Sequence, residues 1–155
     1  MFTPFLPKQV DNNYSGTRLA IWLLAAILLV RLGIGGATLF NTHDALQTAD
    51  SIPVDSFGLA GAAAAMSLFK LLGLELLVLN LLGVGVLIRY RSLIPFTYFL
   101  MLVEQVCRRE LLILYPIVRT GEHMLPFNIN LMLIGALCVG FVLSLFRRRE
   151  RNNAG

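Results

Sequence analysis

Ionisable side chains stand inside the apolar stretches of this chain. Arg31 interrupts the run 21–40, Lys70 and Glu75 fall within 57–88, and Glu104, Gln105, Arg108, Arg109 and Glu110 fall within 93–118. In an apolar setting such groups do electrostatic chemistry: a guanidinium seeks an anion or a carbonyl oxygen, a desolvated carboxylate holds a proton, and opposite charges neutralise each other. A charge at the bilayer centre costs about 2.5–3.5 kcal/mol on insertion scales, so each group is expected to face a partner, a cavity or a ligand. Arg31, Glu75, Glu104, Gln105, Arg108 and Arg109 are therefore the candidate ligand-binding residues. No residue is assigned a catalytic or metal-ligating role, and the sequence names no cofactor.

Spacing refines the set. Glu104 and Arg108 are one helical turn apart, so their side chains share a face and can pair. Met101 and Tyr115 fall close to that face, with Gln105 and Arg109 flanking it. In lipid this polar stripe must point into a bundle or at another chain, where it could fix helix packing, hold a ligand or proton, or form a subunit interface. Arg31 has no carboxylate on its own helix and must find Glu75, Glu104 or a ligand across the bundle. The four cations Arg31, Lys70, Arg108 and Arg109 oppose the three carboxylates Glu75, Glu104 and Glu110. The excess positive charge favours an anion or an electron-rich headgroup.

The elements that position these groups follow from composition. Of 155 residues, 57% are hydrophobic and 14% charged, and the mean hydropathy is +0.74, outside the range of ordinary soluble domains. The chain reads as an all-α, polytopic membrane protein. Crossing ~30 Å of hydrocarbon takes about 20 apolar residues per helix. Four spans are expected, at 19–40, 63–88, 93–118 and 129–146, forming one bundle in a single domain over 1–155. Open strands are excluded because their unpaired backbone groups would meet lipid. The second run is long enough that it must tilt, protrude or begin as an interfacial turn. The third could end early, near Cys107, and Pro116 would suit a helix end. Thr17 is a suitable N-cap for the first span.

Orientation follows from Lys8 and Arg18, Arg89 and Arg91, and the cluster Arg147, Arg148, Arg149 and Arg151. The two other loops carry Arg119 against Asp44, Asp50, Asp55 and Glu122. The positive-inside rule places both termini in the cytoplasm and the charged groups in the outer half of the membrane. The basic residues that give the net charge of +4 are consumed by this signal, so no nucleic-acid partner is expected.

Gly33, Gly35, Gly36, Gly83 and Gly85 can let helices approach closely. Cys107 and Cys138 lie at similar depth without a CxxC motif, and His43 and His123 lie in the outer loops near Asp44 and Glu122. Both pairs read more simply as packing and solvated residues. No phosphate loop or nucleophile elbow is present. The N-terminal segment, with Phe2, Phe5 and Leu6 beside Pro4 and Pro7, is expected to lie on the membrane surface or against a partner.

The run Lys70-Leu71-Leu72-Gly73-Leu74-Glu75-Leu76-Leu77, continued by Leu81-Leu82-Gly83-Val84-Gly85-Val86-Leu87-Ile88-Arg89, resembles the Glu-then-Gly-rich helix of DoxX-like small membrane proteins, which ends at a basic turn. The first span, opening at Arg18-Leu19 and closing on 33–36, is similar in style. The resemblance does not extend to the charged third span. It implies a four-helix membrane protein, often accessory to membrane redox enzymes or quinone-linked systems, with Glu75 as the matching polar residue.

Two functions follow as expectations. One is a non-catalytic accessory subunit of a bacterial inner membrane, binding a lipid, quinone or similar amphiphile in an outer-half polar pocket. Its partners would be membrane lipids and a larger complex or further copies of itself. The other is a small membrane enzyme or carrier that handles protons through Glu75 or Glu104.

Overall fold

A computed structural model describes residues 5–7, 9–117, 119 and 125–146. The basic cluster 147–151, His123 and Glu122 lie outside the described residues. Among the described residues the regular structure is helical, with no strand. Five α-helices are formed: α1 (Arg18–Phe40), α2 (Thr42–Asp44), α3 (Leu59–Arg89), α4 (Ile94–Leu114) and α5 (Leu125–Leu145). A π-helical turn at Ala45–Ala49 and a 3-10 turn at Val54–Ser56 lie between α2 and α3, and a 3-10 turn at Arg91–Leu93 leads into α4.

Helix α1, helix α3 and the stretch Asn128–Leu145 of α5 are long and apolar enough to cross a membrane. Helix α4 has 21 residues, enough length by itself, but its second half carries Glu104, Arg108, Arg109 and Glu110.

Helix ends have local causes. Thr17 precedes α1 in extended backbone but makes no side-chain cap; its hydroxyl instead donates to the Leu143 carbonyl at 3.0 Å, tying the start of α1 to α5. Helix α4 stops at Leu114, short of the expected 118. A residue before proline is pushed out of the helical region, and Tyr115, which precedes Pro116, adopts φ −125° and ψ 76° while its N–H closes the last turn onto the Leu111 carbonyl. Helix α5 starts at Leu125, a turn earlier than expected.

The second run forms a single unbroken helix. Helix α3 is continuous over 31 residues, or about 46 Å at 1.5 Å per residue, with no interfacial turn at its start. Its first turns are covered by the preceding loop, whose buried Leu46, Ile52 and Val54 pack on Ala62, Met66 and Phe69 in a satellite core.

Helix α1 is central, packing against α3 on one side and α5 on the other, while α4 packs on α5. The main core joins Ala20, Leu24, Ile27 and Leu28 of α1 to Ile94, Tyr98 and Met101 of α4 and Leu137 of α5. Glycines set the closeness of the antiparallel α1–α3 contact. A Cβ on Gly73 would come 2.7 Å from the Leu39 backbone nitrogen, one on Gly83 would meet the end of Leu28 at 2.6 Å, and one on Gly35 would meet Leu76 at 3.2 Å. Gly33, Gly36 and Gly85 have nothing within 4 Å, so close approach uses Gly35, Gly73 and Gly83 rather than the whole glycine set.

Phe5 and Asp11 of the N-terminal segment contact the chain's own helices and the turn before α4, while Phe2 and Pro4 lie outside the described residues. Phe5 sets its ring edge-on to Phe96, Phe99 and Phe141, with centroids 5.8, 5.1 and 6.2 Å away. The Asp11 N–H is held by the Ser92 hydroxyl at 3.0 Å, and that hydroxyl donates back to the Asp11 carbonyl at 2.9 Å.

Candidate functional site

Helix α1 buries Leu24, Ile27, Leu28, Arg31, Gly35 and Thr38, an inward stripe of three- and four-residue steps. Arg31 occupies its middle with 2% of its surface exposed. Helix α4 turns Thr97, Tyr98, Met101 and Gln105 inward, which leaves Glu104 and Arg108 at the edge of the same face. Across the bundle Arg31 Nη1 donates to Gln105 Oε1 at 2.9 Å and Nη2 donates to Glu104 Oε2 at 2.5 Å. The other Glu104 oxygen, Oε1, accepts from Arg108 Nη2 at 2.6 Å, closing the one-turn pair.

Two guanidiniums thus share one carboxylate. Burial makes each unpaired charge expensive, so the attraction holds α1 and α4 in one register. Both Glu104 oxygens are engaged by cationic donors, which suits a fixed counter-ion better than a group that exchanges protons with a substrate. The cluster keeps a positive surplus, and Arg108 is its more open member, with 27% of its side chain exposed.

One further residue belongs beside this cluster. Asn80 is fully buried on the inward stripe of α3 with Gly73, Leu76 and Gly83. Gly83 meets Leu28 and Asn80 precedes it by three positions, as Arg31 follows Leu28 by three; in an antiparallel pair Asn80 and Arg31 are therefore level. The Asn80 amide nitrogen donates to the Leu76 carbonyl at 2.6 Å. Its Oδ1 has no hydrogen-bond partner among the described residues, and neither does Arg31 Nε. A buried acceptor and a buried donor thus sit at one depth. The sequence signal for Asn80 is its place in 71–88, where Glu75 is the other polar residue.

Glu75 is not brought to this cluster. It is exposed on α3, one residue before the buried Leu76, and that single step rotates it about 100° away from the inward stripe. Lys70 and Glu110 are also exposed, and Arg109 is half-buried on the flank of α4.

The loop over this end of the bundle brings Asp50 within the field of Arg108 and Arg119. Burial pushes its carboxyl above the ordinary range, while the two arginines pull it down. Asp55 accepts from Gln47 and pairs with His43 Nε2 at 3.1 Å, and these contacts hold its carboxyl below the ordinary range. Cys107 and Cys138 are both free and exposed. Among the described residues no three of His, Cys, Asp and Glu are grouped to hold a metal. A cavity of about 470 Å³ lined by Val10, Asp11, Asn12, Ile88, Arg89 and Tyr90 lies at the α3–α4 turn, away from Arg31.

No family model matches the chain, and comparison with curated proteins and with solved structures gives no match.

Proposed function

We propose that the chain is a four-span protein of a bacterial inner membrane, with both termini cytoplasmic, that serves as a non-catalytic accessory subunit holding the polar head of a lipid, quinone or similar amphiphile. The observation that carries this reading is the pair of unpartnered buried atoms, Arg31 Nε and Asn80 Oδ1, beside a cluster with surplus positive charge. A headgroup carbonyl or phosphate oxygen would accept from Arg31, and a hydroxyl, as on a reduced quinone, would donate to Asn80. The likeness of 70–89 to the DoxX-like helix supports a quinone-linked role. The proton-handling alternative has less support, because Glu104 is held by two arginines and Glu75 lies outside the cluster.

Arg31→Leu should leave the protein inserted but abolish the amphiphile that copurifies with it, and Arg31→Lys should retain part of it, since an ammonium replaces a planar fork. Asn80→Leu should lower retention while keeping the Glu104 ion pairs. Extraction with mass spectrometry reads the bound content, beside a thermal melt of the same preparation. Unchanged content with lowered stability would make Arg31 a packing residue and sink the ligand reading. Orientation is checked with cysteine labelling after replacing Cys107 and Cys138: a cysteine at Asp44 should react from outside and one at Arg91 from inside.

A further inference from the structure

Helix α3 carries two opposite stripes. The stripe used inside the chain takes Ala62, Met66 and Phe69 under the loop and continues through Gly73, Leu76, Asn80 and Gly83 against α1. The other faces outward with a strict seven-residue repeat. Ala64, Leu71, Val78 and Gly85 fall at its first position and Ser67, Leu74, Leu81 and Ile88 at its second; all are exposed, and all but Ser67 are apolar or glycine. Apolar residues facing lipid need no explanation, but the two charges beside them do. Lys70 and Glu75 are exposed on opposite flanks of this seam and make no hydrogen bond or ion pair among the described residues.

Their spacing fits one occupant. In a parallel pair of helices joined along such a seam, the flanking residue before the first apolar position meets the partner's flanking residue five positions later. Lys70 and Glu75 hold those two positions, with opposite charge. We propose that α3 pairs in parallel with α3 of a second copy of this chain, the Leu71–Leu74–Val78–Leu81 seam at its centre and Lys70 of each copy bridged to Glu75 of the other. Two-fold symmetry makes the bridge twice. Both copies insert with the same orientation because they carry the same basic loops, which makes the pair parallel. The small residues Ala64, Ser67 and Gly85 at the ends of the seam let the backbones converge. Glu75, remote from Arg31 within one chain, then has its cation. This inference rests on α3 crossing the membrane and is independent of what the Arg31 cluster binds.

The test uses the full chain in native membranes, with Cys107→Ser and Cys138→Ser removing the endogenous thiols. Single cysteines at Leu71, Leu74, Val78 and Leu81 should oxidise to covalent dimers, whereas those at Leu72 and Leu79 should not. Lys70→Glu or Glu75→Lys alone places like charges together and should cut crosslinking at Leu74→Cys about tenfold, and Lys70→Glu combined with Glu75→Lys should restore it. Both side chains are exposed on their own chain and stand apart from the Arg31 cluster, so the bound amphiphile of the single variants should stay as in the parent. Crosslinking without the seven-residue period, or a double reversal no better than the singles, would overturn the proposal.

Discussion

Arg31 and Glu104, 73 positions apart in sequence, meet side chain to side chain at 2.5 Å between α1 and α4. The contact ties the edge of the inward face of α4 to the buried stripe of α1 and gives Arg31 a neutralising partner within its own chain. Because Glu104 also holds Arg108, it is the member whose loss strands the most charge.

The three members should therefore differ in cost. Glu104→Leu leaves two guanidiniums without their counter-ion and should destabilise by about 3–5 kcal/mol. Arg31→Leu should cost less, since Glu104 keeps Arg108, and Arg108→Leu least, since Arg108 is the most solvent-accessible of the three. Joint replacement of Arg31 and Glu104 by leucine should recover part of the loss. Thermal melts in one detergent rank the variants; equal melting of Glu104→Leu and the parent would show that the cluster is not desolvated.

The glycines should separate by what stands opposite them. Gly73→Ala drives a methyl against the backbone of Leu39 and Thr38, which cannot swing aside, and should cost about 1–3 kcal/mol. Gly83→Ala meets the end of the Leu28 side chain, which can move, and should cost less. Gly36→Ala meets nothing within 4 Å and should stabilise the helix by about 0.5–1 kcal/mol. The order of melting temperatures checks the α1–α3 register directly.

Two aspartates of the loop should respond to pH with opposite sign. The raised carboxyl of Asp50 means that the folded state prefers it protonated, so its ionised form opposes loop docking above the raised value. That opposition fades as pH falls through the value towards the ordinary one. The depressed carboxyl of Asp55 contributes stability above its ordinary value, lost as pH falls through the depressed one. Asp50→Asn should slow amide exchange at Leu46 and Ile52 near neutral pH and flatten the acid-side gain, whereas Asp55→Asn should speed it. The same sign for both variants would contradict the burial that raises the Asp50 carboxyl.

The sequence by itself determined the helical class and the long apolar helices, because lipid admits no unpaired backbone and the required length can be counted residue by residue. It also determined the Glu104–Arg108 pair, since a one-turn spacing fixes a shared face whatever the surroundings. The end of α4 at Leu114, short of the expected 118, has a local cause in Pro116, which pushes Tyr115 out of the helical region. Which residues on different helices meet was decided only by the tertiary structure. Arg31 had Glu75 and Glu104 as candidate partners of equal charge; the rotation of α3, set by Gly73 and Gly83 closing on α1, turned Glu75 outward and Asn80 inward. Phe5 found its aromatic partners on α4 and α5, and the loop before α3 found Ala62, Met66 and Phe69, through contacts between distant segments that no local pattern encodes. Helix period tells which residues share a face, but the direction of that face depends on how closely the neighbouring backbone can approach.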